Sequence, residues 1–324
     1  MPFTNFPDGV TSFGIPLIPG IPVPFTGNYI WVNQGSSYPT VSGGSGTIES
    51  PFNTLEAALA AAVSGNNDVI MMIGTVRVAA TLAWSKDKTH LVGISAPTMR
   101  GKRARITTTG TTLFTPMVNV TGEGCYFGNF GTFYGFATAS AQTLWTEAGD
   151  RNCYDLVEFL GFGTDEAGAQ ANSRCVVISK ASGNKGEHTF RNCVFGTDTA
   201  VRTAANVTLE IANGSPRNFF YGCHFEAYLT GSGANATHLT VDSGGIDREV
   251  YFENCAFRSS AKSGGSVAMT QAMSIHASAG GYVTLKDDWF TGCTNVETTA
   301  SGNVFVTNAV VDTQDAALTI VNAP

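Results

Sequence analysis

The chain has 324 residues, only 13% of them charged, with 37 glycines and a formal net charge of −7. Low charge with many glycines and small polar residues suits a β-rich chain with many turns, and argues against a helical bundle or long charged tails. The acidic balance gives no basis for nucleic-acid binding, which needs clustered lysine and arginine, and no apolar run approaches the length of a membrane span.

Residues 1–27 form a distinct segment. It opens Met1-Pro2-Phe3-Thr4-Asn5-Phe6-Pro7, without the basic start and unbroken apolar run of a signal peptide. Six prolines (Pro2, Pro7, Pro16, Pro19, Pro22 and Pro24) prevent a helix or a central strand. Yet the segment is apolar, whereas a disordered tail is normally polar. An extended arm that packs onto something fits better, either its own domain or a partner protein. As a docking arm it would anchor through Phe6, Pro7, Val10, Phe13 and Ile15, with a turn at Asp8-Gly9.

Residues 28–324 read as one elongated domain, with an N-terminal cap over 28–105 and repeated coils over 106–324. After a strand at Tyr29-Ile30-Trp31-Val32 and a Gly/Ser-rich loop, Asn53 or Thr54 can cap an amphipathic helix whose apolar side holds Leu55, Ala58, Leu59 and Ala62. Asp68 to Gly74 then encloses a wholly apolar run, the pattern of a strand buried on both faces.

The chain then repeats. Segments aligned on Asn192-Cys193-Val194-Phe195 have their second residues at 130, 160, 193, 223, 255, 288 and 309, in steps of 30, 33, 30, 32, 33 and 21. A near-constant period of this size marks a repeat architecture. The first column (Asn129, Phe159, Asn192, Gly222, Asn254, Asp287, Asn308) is a bend, since all but Phe159 tolerate left-handed backbone. The second and fourth columns share one side of a strand, which stacks Phe162, Phe195, Phe225, Phe257 and Phe290 at the inter-strand spacing of about 4.8 Å. A second strand set keeps the period: Val177-Ile178-Ser179, Leu209-Glu210-Ile211, Leu239-Thr240-Val241 and Met273-Ser274-Ile275. Two strands per coil, separated by turns, describe an all-β parallel solenoid.

The opening Gly46-Thr47-Ile48-Glu49-Ser50-Pro51-Phe52-Asn53-Thr54-Leu55-Glu56-Ala57-Ala58, followed by Asp68-Val69-Ile70, resembles that of pectate-lyase-like right-handed parallel β-helix proteins, as do the Asn-Cys-x-Phe steps. The resemblance covers roughly residues 28 to 324 and implies a solenoid whose open end the helix caps. It does not imply an activity, because the fold hosts lyases, hydrolases and inert structural proteins. The stretch Phe6-Pro7-Asp8-Gly9-Val10-Thr11-Ser12-Phe13-Gly14-Ile15-Pro16 resembles the N-terminus of phage-encoded, virion-associated β-helix proteins, some of them on capsids.

Candidate chemistry is sparse. Asp287-Asp288 resembles the doublet of polygalacturonases, but the other motifs of that family are missing, and Asp288 falls in an inward column elsewhere filled by cysteine. The densest acidic run, Asp242, Asp247, Glu249 and Glu253, reads as outward solvation rather than a calcium site. The histidines form no metal-like cluster, and His224 and His276 should face out. Arg100-Gly101-Lys102-Arg103-Ala104-Arg105 is either a solvated loop or a contact to an acidic neighbour. Of the four tryptophans, Trp31, Trp84, Trp145 and Trp289, the last is the best candidate for a saccharide platform, and their scarcity argues against a receptor-degrading spike. The seven cysteines, an odd number without a C-x-x-C pair, read as reduced core thiols.

The expectation is a non-enzymatic structural protein of a tailed-bacteriophage virion, assembled in the host bacterial cytoplasm and needing no cofactor. It would decorate the capsid through an arm bound to the major capsid protein and form a homo-oligomer, a trimer by the resemblance. The competing expectation is a tailspike or tail fibre that binds or depolymerises host polysaccharide.

Overall fold

Residues one repeat apart in the sequence lie one strand apart in space. The computed structural model describes residues 11–12, 15–16, 25–35, 44–179, 186–230, 235–261, 268–297, 303–307 and 310–311. Three parallel sheets run along the molecule, and each coil contributes one strand to each sheet. Among the described residues, sheet 1 has ten strands, from Tyr29–Val32 to Val304–Thr307. Sheet 2 has nine, from Thr75–Val78 to Val310–Val311, and sheet 3 has eight, from Leu82–Trp84 to Cys293–Glu297. Every neighbouring pair in these sheets is parallel, as in Phe190–Phe220–Phe252 of sheet 1. The chain is a right-handed parallel β-helix, the hand that strand twist favours for parallel crossovers.

Three strands per coil correct the expected two. The expected Asn-Cys-x-Phe segments are the entry to sheet 2, and the second strand set belongs to sheet 3. The strands of sheet 1, such as His188–Arg191 and Ser215–Tyr221, precede the bend. Two registers are also corrected. Glu158 pairs with Gly131 and Val194, so the coil between them is Leu156-Val157-Glu158-Phe159, three residues before the expected segment. The second residues therefore run 130, 157 and 193, and the steps are uneven because a longer loop with the helical turn Asp165–Gly168 sits in the second of them. In sheet 3, Val176 and not Val177 pairs with Leu209, a one-residue slip that turns Val177 outward.

The bend column keeps its backbone: Asn129, Leu156, Asn192, Gly222, Asn254 and Asp287 all have φ between 50° and 60°. Asparagine, glycine and aspartate reach this left-handed region at low cost, and Leu156 is the exception.

The corrected register puts Phe159 rather than Phe162 in the aromatic column of sheet 2. Phe159, Phe195, Phe225, Phe257 and Phe290 stack with centroids 5.0, 4.7, 4.6 and 4.6 Å apart. Sheet 1 adds a second stack of Phe127, Tyr154, Phe190, Phe220 and Phe252, at 4.8, 4.6, 4.8 and 4.7 Å. The two ladders meet edge to face, as in Phe190–Phe195 at 5.6 Å and 61°. Phe162 is buried elsewhere, beneath the Arg202 guanidinium at 4.7 Å.

The helix Leu55–Ala61 starts where expected. Thr54 Oγ1 accepts from the Ala57 amide at 3.1 Å, and Leu55, Ala58 and Leu59 enter the core at the first coils. Regular coils begin within the range expected to be cap, with Val69–Ile73, Thr75–Val78 and Leu82–Trp84.

All seven cysteines are free thiols, and six are buried. Burial pushes Cys125 and Cys293 up to about 12 and Cys175 up to about 11. Cys153 is half-buried, beside the Arg191 guanidinium at 3.2 Å. A thiol reagent is therefore expected to label at most Cys153 in the native protein and all seven after denaturation. A second fast-reacting thiol, or a disulfide found by non-reducing mass analysis, would contradict this packing.

Candidate functional site

Of the expected docking residues, Phe6, Pro7, Val10 and Phe13 lie outside the described residues. So does the Asp8-Gly9 turn. Ile15 falls in a short antiparallel pairing, Thr11–Ser12 with Ile15–Pro16, and its side chain is likewise outside what is described. At the inner end of the arm, Phe25 is buried on the chain's own solenoid. It lies on the outer face of sheet 1, 4.6 Å from the His90 ring and 6.0 Å from Tyr126, over Val69, Met71 and Val92.

The acidic doublet is architectural. Asp287 takes the left-handed bend and Asp288 points inside, fully buried, as its column required. One Asp288 oxygen accepts from the Cys255 amide at 2.7 Å and the other from the Lys286 amide at 3.0 Å. Burial pushes its carboxyl up to about 7. The neighbouring column member does a similar job, since Cys255 Sγ accepts from the Cys223 amide at 3.4 Å.

The remaining acidic and basic groups are dispersed or engaged. The outer row of sheet 3 (Asn119, Thr146, Val177, Glu210, Thr240 and Ser274) holds one carboxylate, Glu210, which is ion-paired to Arg174. Asp242 and His276 flank a shallow groove of about 600 Å³ at the end of this sheet. Asp247 lies beside Arg248, while Glu249 and Glu253 face outward on sheet 1. No group of three potential metal ligands occurs among the described residues. His224 and His276 reach the surface; His90, His188 and His238 are buried.

The acidic neighbour of the basic run is the chain itself. Arg100 pairs with Asp198 at 2.9 Å and with Glu226. The amides of Gly101 and Lys102 donate to the buried Glu158 carboxylate at 2.6 and 3.0 Å. Lys102 is buried and donates to the Thr98 carbonyl. The run thus ties a loop across the outer face of sheet 2. Beside it, His224 and the exposed Arg258 and Trp289 occupy that face, Trp289 with 44% exposure.

Sheet 1 carries a surface that the sequence reading overlooked. Strand parity sends Phe220, Phe252 and Val283 inward and Phe219, Tyr221, Tyr251 and Tyr282 outward, followed by Phe305 on the next strand. Tyr282 and Phe305 are 41% and 42% exposed, and the other three rings are half-buried. Tyr221 and Tyr251 lie 6.0 Å apart, Phe219 and Tyr251 6.3 Å, and Tyr282 and Phe305 5.3 Å. The signal was the doublet Phe219-Phe220 followed by Tyr221, with Tyr251-Phe252 one period later: aromatic residues on both faces of one strand. Carboxylates and cations border the stripe. Glu253 accepts from Tyr251 at 3.1 Å and from Lys286 at 2.6 Å, Glu249 accepts from Thr284 at 2.9 Å, and Arg217 pairs with Glu187.

A polar cluster also sits inside the solenoid. Glu147 is fully buried; the Gly149 amide at 2.7 Å and Asn152 Nδ2 at 3.1 Å donate to one oxygen, and the Tyr154 hydroxyl donates to the other. His188 Nε2 lies 3.7 Å away. Burial pushes Glu147 up to about 7 and His188 down to about 3.

No protein-family model matches the chain, and no curated protein matches it in sequence. Solved structures do match. A pectin methylesterase from Aspergillus niger is 17% identical over 91% of each chain, with a TM-score of 0.55. The pectin methylesterase PemA from Erwinia chrysanthemi is 13% identical over 90% of this chain and 93% of that one, with a TM-score of 0.52. ORF18 of Geobacillus virus E2 is 12% identical over 82% of this chain and 56% of that one, with a TM-score of 0.51. At these identities the likeness is one of fold, and the fold they share with this chain is the parallel β-helix.

Proposed function

We propose that this chain is a structural protein of a tailed-bacteriophage virion, a capsid decoration protein that holds the major capsid protein through its N-terminal arm. The observation that carries the non-enzymatic part is the place of Asp288: the doublet Asp287-Asp288, the one that resembles a glycan-cleaving pair, is divided between a bend and the core. The outer carboxylates Glu210, Glu226 and Asp198 are ion-paired to Arg174 and Arg100, which suits a scaffold more than a hydrolytic site. A phage protein, ORF18 of Geobacillus virus E2, uses the same fold, which is consistent with a place on a virion. Residues 1–27 supply the proposed anchors Phe6, Pro7, Val10, Phe13 and Ile15, each worth about 1.5–3 kcal/mol if buried. A homotrimer would multiply weak arms into firm attachment by avidity.

Deleting residues 2–20 tests this. The truncated protein is expected to keep its circular dichroism and melting temperature and to stop co-sedimenting with particles. Decoration at full occupancy without the arm would overturn the proposal, and unfolding would assign the arm to the core. The second reading, a polysaccharide-binding spike, is favoured by the aromatic stripe of sheet 1. Release of reducing ends from host polysaccharide by the purified protein would move the assignment to a depolymerising spike.

A further inference from the structure

We propose that the outward stripe Phe219, Tyr221, Tyr251, Tyr282 and Phe305 on sheet 1 binds a neutral, linear polysaccharide laid along the solenoid axis. This goes beyond the capsid assignment and is independent of it, because the purified chain would bind the glycan whichever particle carries it.

Three features of the stripe select this ligand. The first is the outward rings themselves, two exposed and three half-buried. An aromatic ring offers an apolar face to the C–H face of a pyranose, while tyrosine hydroxyls meet its hydroxyl groups. Strands of sheet 1 advance by about 4.8 Å per coil, comparable to the advance of one sugar in an extended chain. Phe219, Tyr251, Thr284 and Phe305 are direct cross-strand neighbours in this order, so an axial ligand meets ring, ring, hydroxyl and ring in turn. Parallel ladders hold the rings in place before binding, which limits the ordering cost.

The second feature is charge. Two cations bordering the stripe are already ion-paired: Arg217 with Glu187 and Lys286 with Glu253. An anionic glycan would have to break these pairs, whereas a neutral one can donate hydroxyls to the Glu249 and Glu253 carboxylates, which retain acceptor capacity.

The third feature disfavours a second copy of the chain as occupant. Thr284, Glu249, Glu253 and Lys286 are interleaved with the rings, so the stripe lacks the contiguous apolar centre that a stable protein interface requires.

Affinity electrophoresis of the full chain tests the proposal, with dextran, hydroxyethylcellulose and galactomannan in the gel and polygalacturonate as the anionic control. Retardation is expected with at least one neutral polymer and not with polygalacturonate. Tyr251→Ala and Tyr282→Ala should each weaken it by about ten-fold or more. Both side chains face outward, so circular dichroism and melting should be unchanged; Trp289→Ala, on sheet 2, should bind as wild type. The proposal is overturned if no neutral polymer retards the protein, if only polygalacturonate does, if the stripe variants bind normally, or if Trp289→Ala abolishes binding. It is equally overturned if sedimentation shows the stripe variants dissociating an oligomer, which would assign the face to a second copy.

Discussion

Phe225→Ala is expected to lower the unfolding free energy by about 3–5 kcal/mol. The ring is fully buried, stacked 4.7 Å from Phe195 and 4.6 Å from Phe257, and it meets Phe220 and Phe252 edge to face at 6.0 and 5.7 Å. The cost belongs at the upper end for a physical reason. The coils above and below are locked in register by ladder hydrogen bonds on all three sheets, so the walls cannot collapse into the cavity. Urea unfolding with a constant m-value measures the effect, and Trp289→Ala, on the outer face of the same sheet, serves as a control expected within about 0.5 kcal/mol. A loss under about 1 kcal/mol at Phe225 would mean that the ladder is not tightly packed.

Glu147→Gln is expected to change the pH dependence of stability more than stability itself. The Glu147 carboxyl is held at about 7 in the folded chain against an ordinary value of 4.5. Its contribution is therefore fully present below about pH 4.5 and is lost as pH rises through 7, a swing of about 3 kcal/mol. Three buried imidazoles work in the opposite direction. His90 is held at about 4 and His188 and His238 at about 3, so the unfolded chain takes up their protons first as pH falls below 6.5. The wild-type profile mixes these effects, and the substitution separates them. Glutamine resembles the protonated acid: its Oε1 can keep accepting from the Gly149 amide and Asn152 Nδ2, while its Nε2 donates to the Tyr154 oxygen, which also accepts from Trp145 Nε1 at 3.3 Å. Relative to wild type, the variant should gain on the order of 3 kcal/mol between pH 5 and pH 8.5, read from unfolding curves at each pH. A difference that does not vary with pH would show that Glu147 does not titrate in this range.

The repeat was legible because its strongest marks are local. Asn129, Asn192, Asn254 and Asp287 announce a left-handed bend by residue type alone, and the inward position of Asp288 follows from its column. The misreadings came where local chemistry was ambiguous. Leu156 occupies a bend without looking like one, so the aligned segment drifted to Phe159-Leu160-Gly161-Phe162 and exchanged one buried phenylalanine for another. The later strands of sheet 1 do not stand out as a set of their own, because only a two-residue bend such as Gly222-Cys223 separates Ser215–Tyr221 from His224–Leu229 of sheet 2.

By itself the sequence determined the solenoid, its cap helix, its bend column and the thiol character of the core, since each depends on residue type at a fixed spacing along the chain. Only the tertiary structure decided which carboxylates have partners and which rings meet solvent. Arg100 and Glu226 are 126 positions apart, and Tyr282 and Phe305 touch only because one coil returns the chain above itself. Their proximity is set by coil lengths, which vary with every loop, and short-range pattern carries no record of that variation.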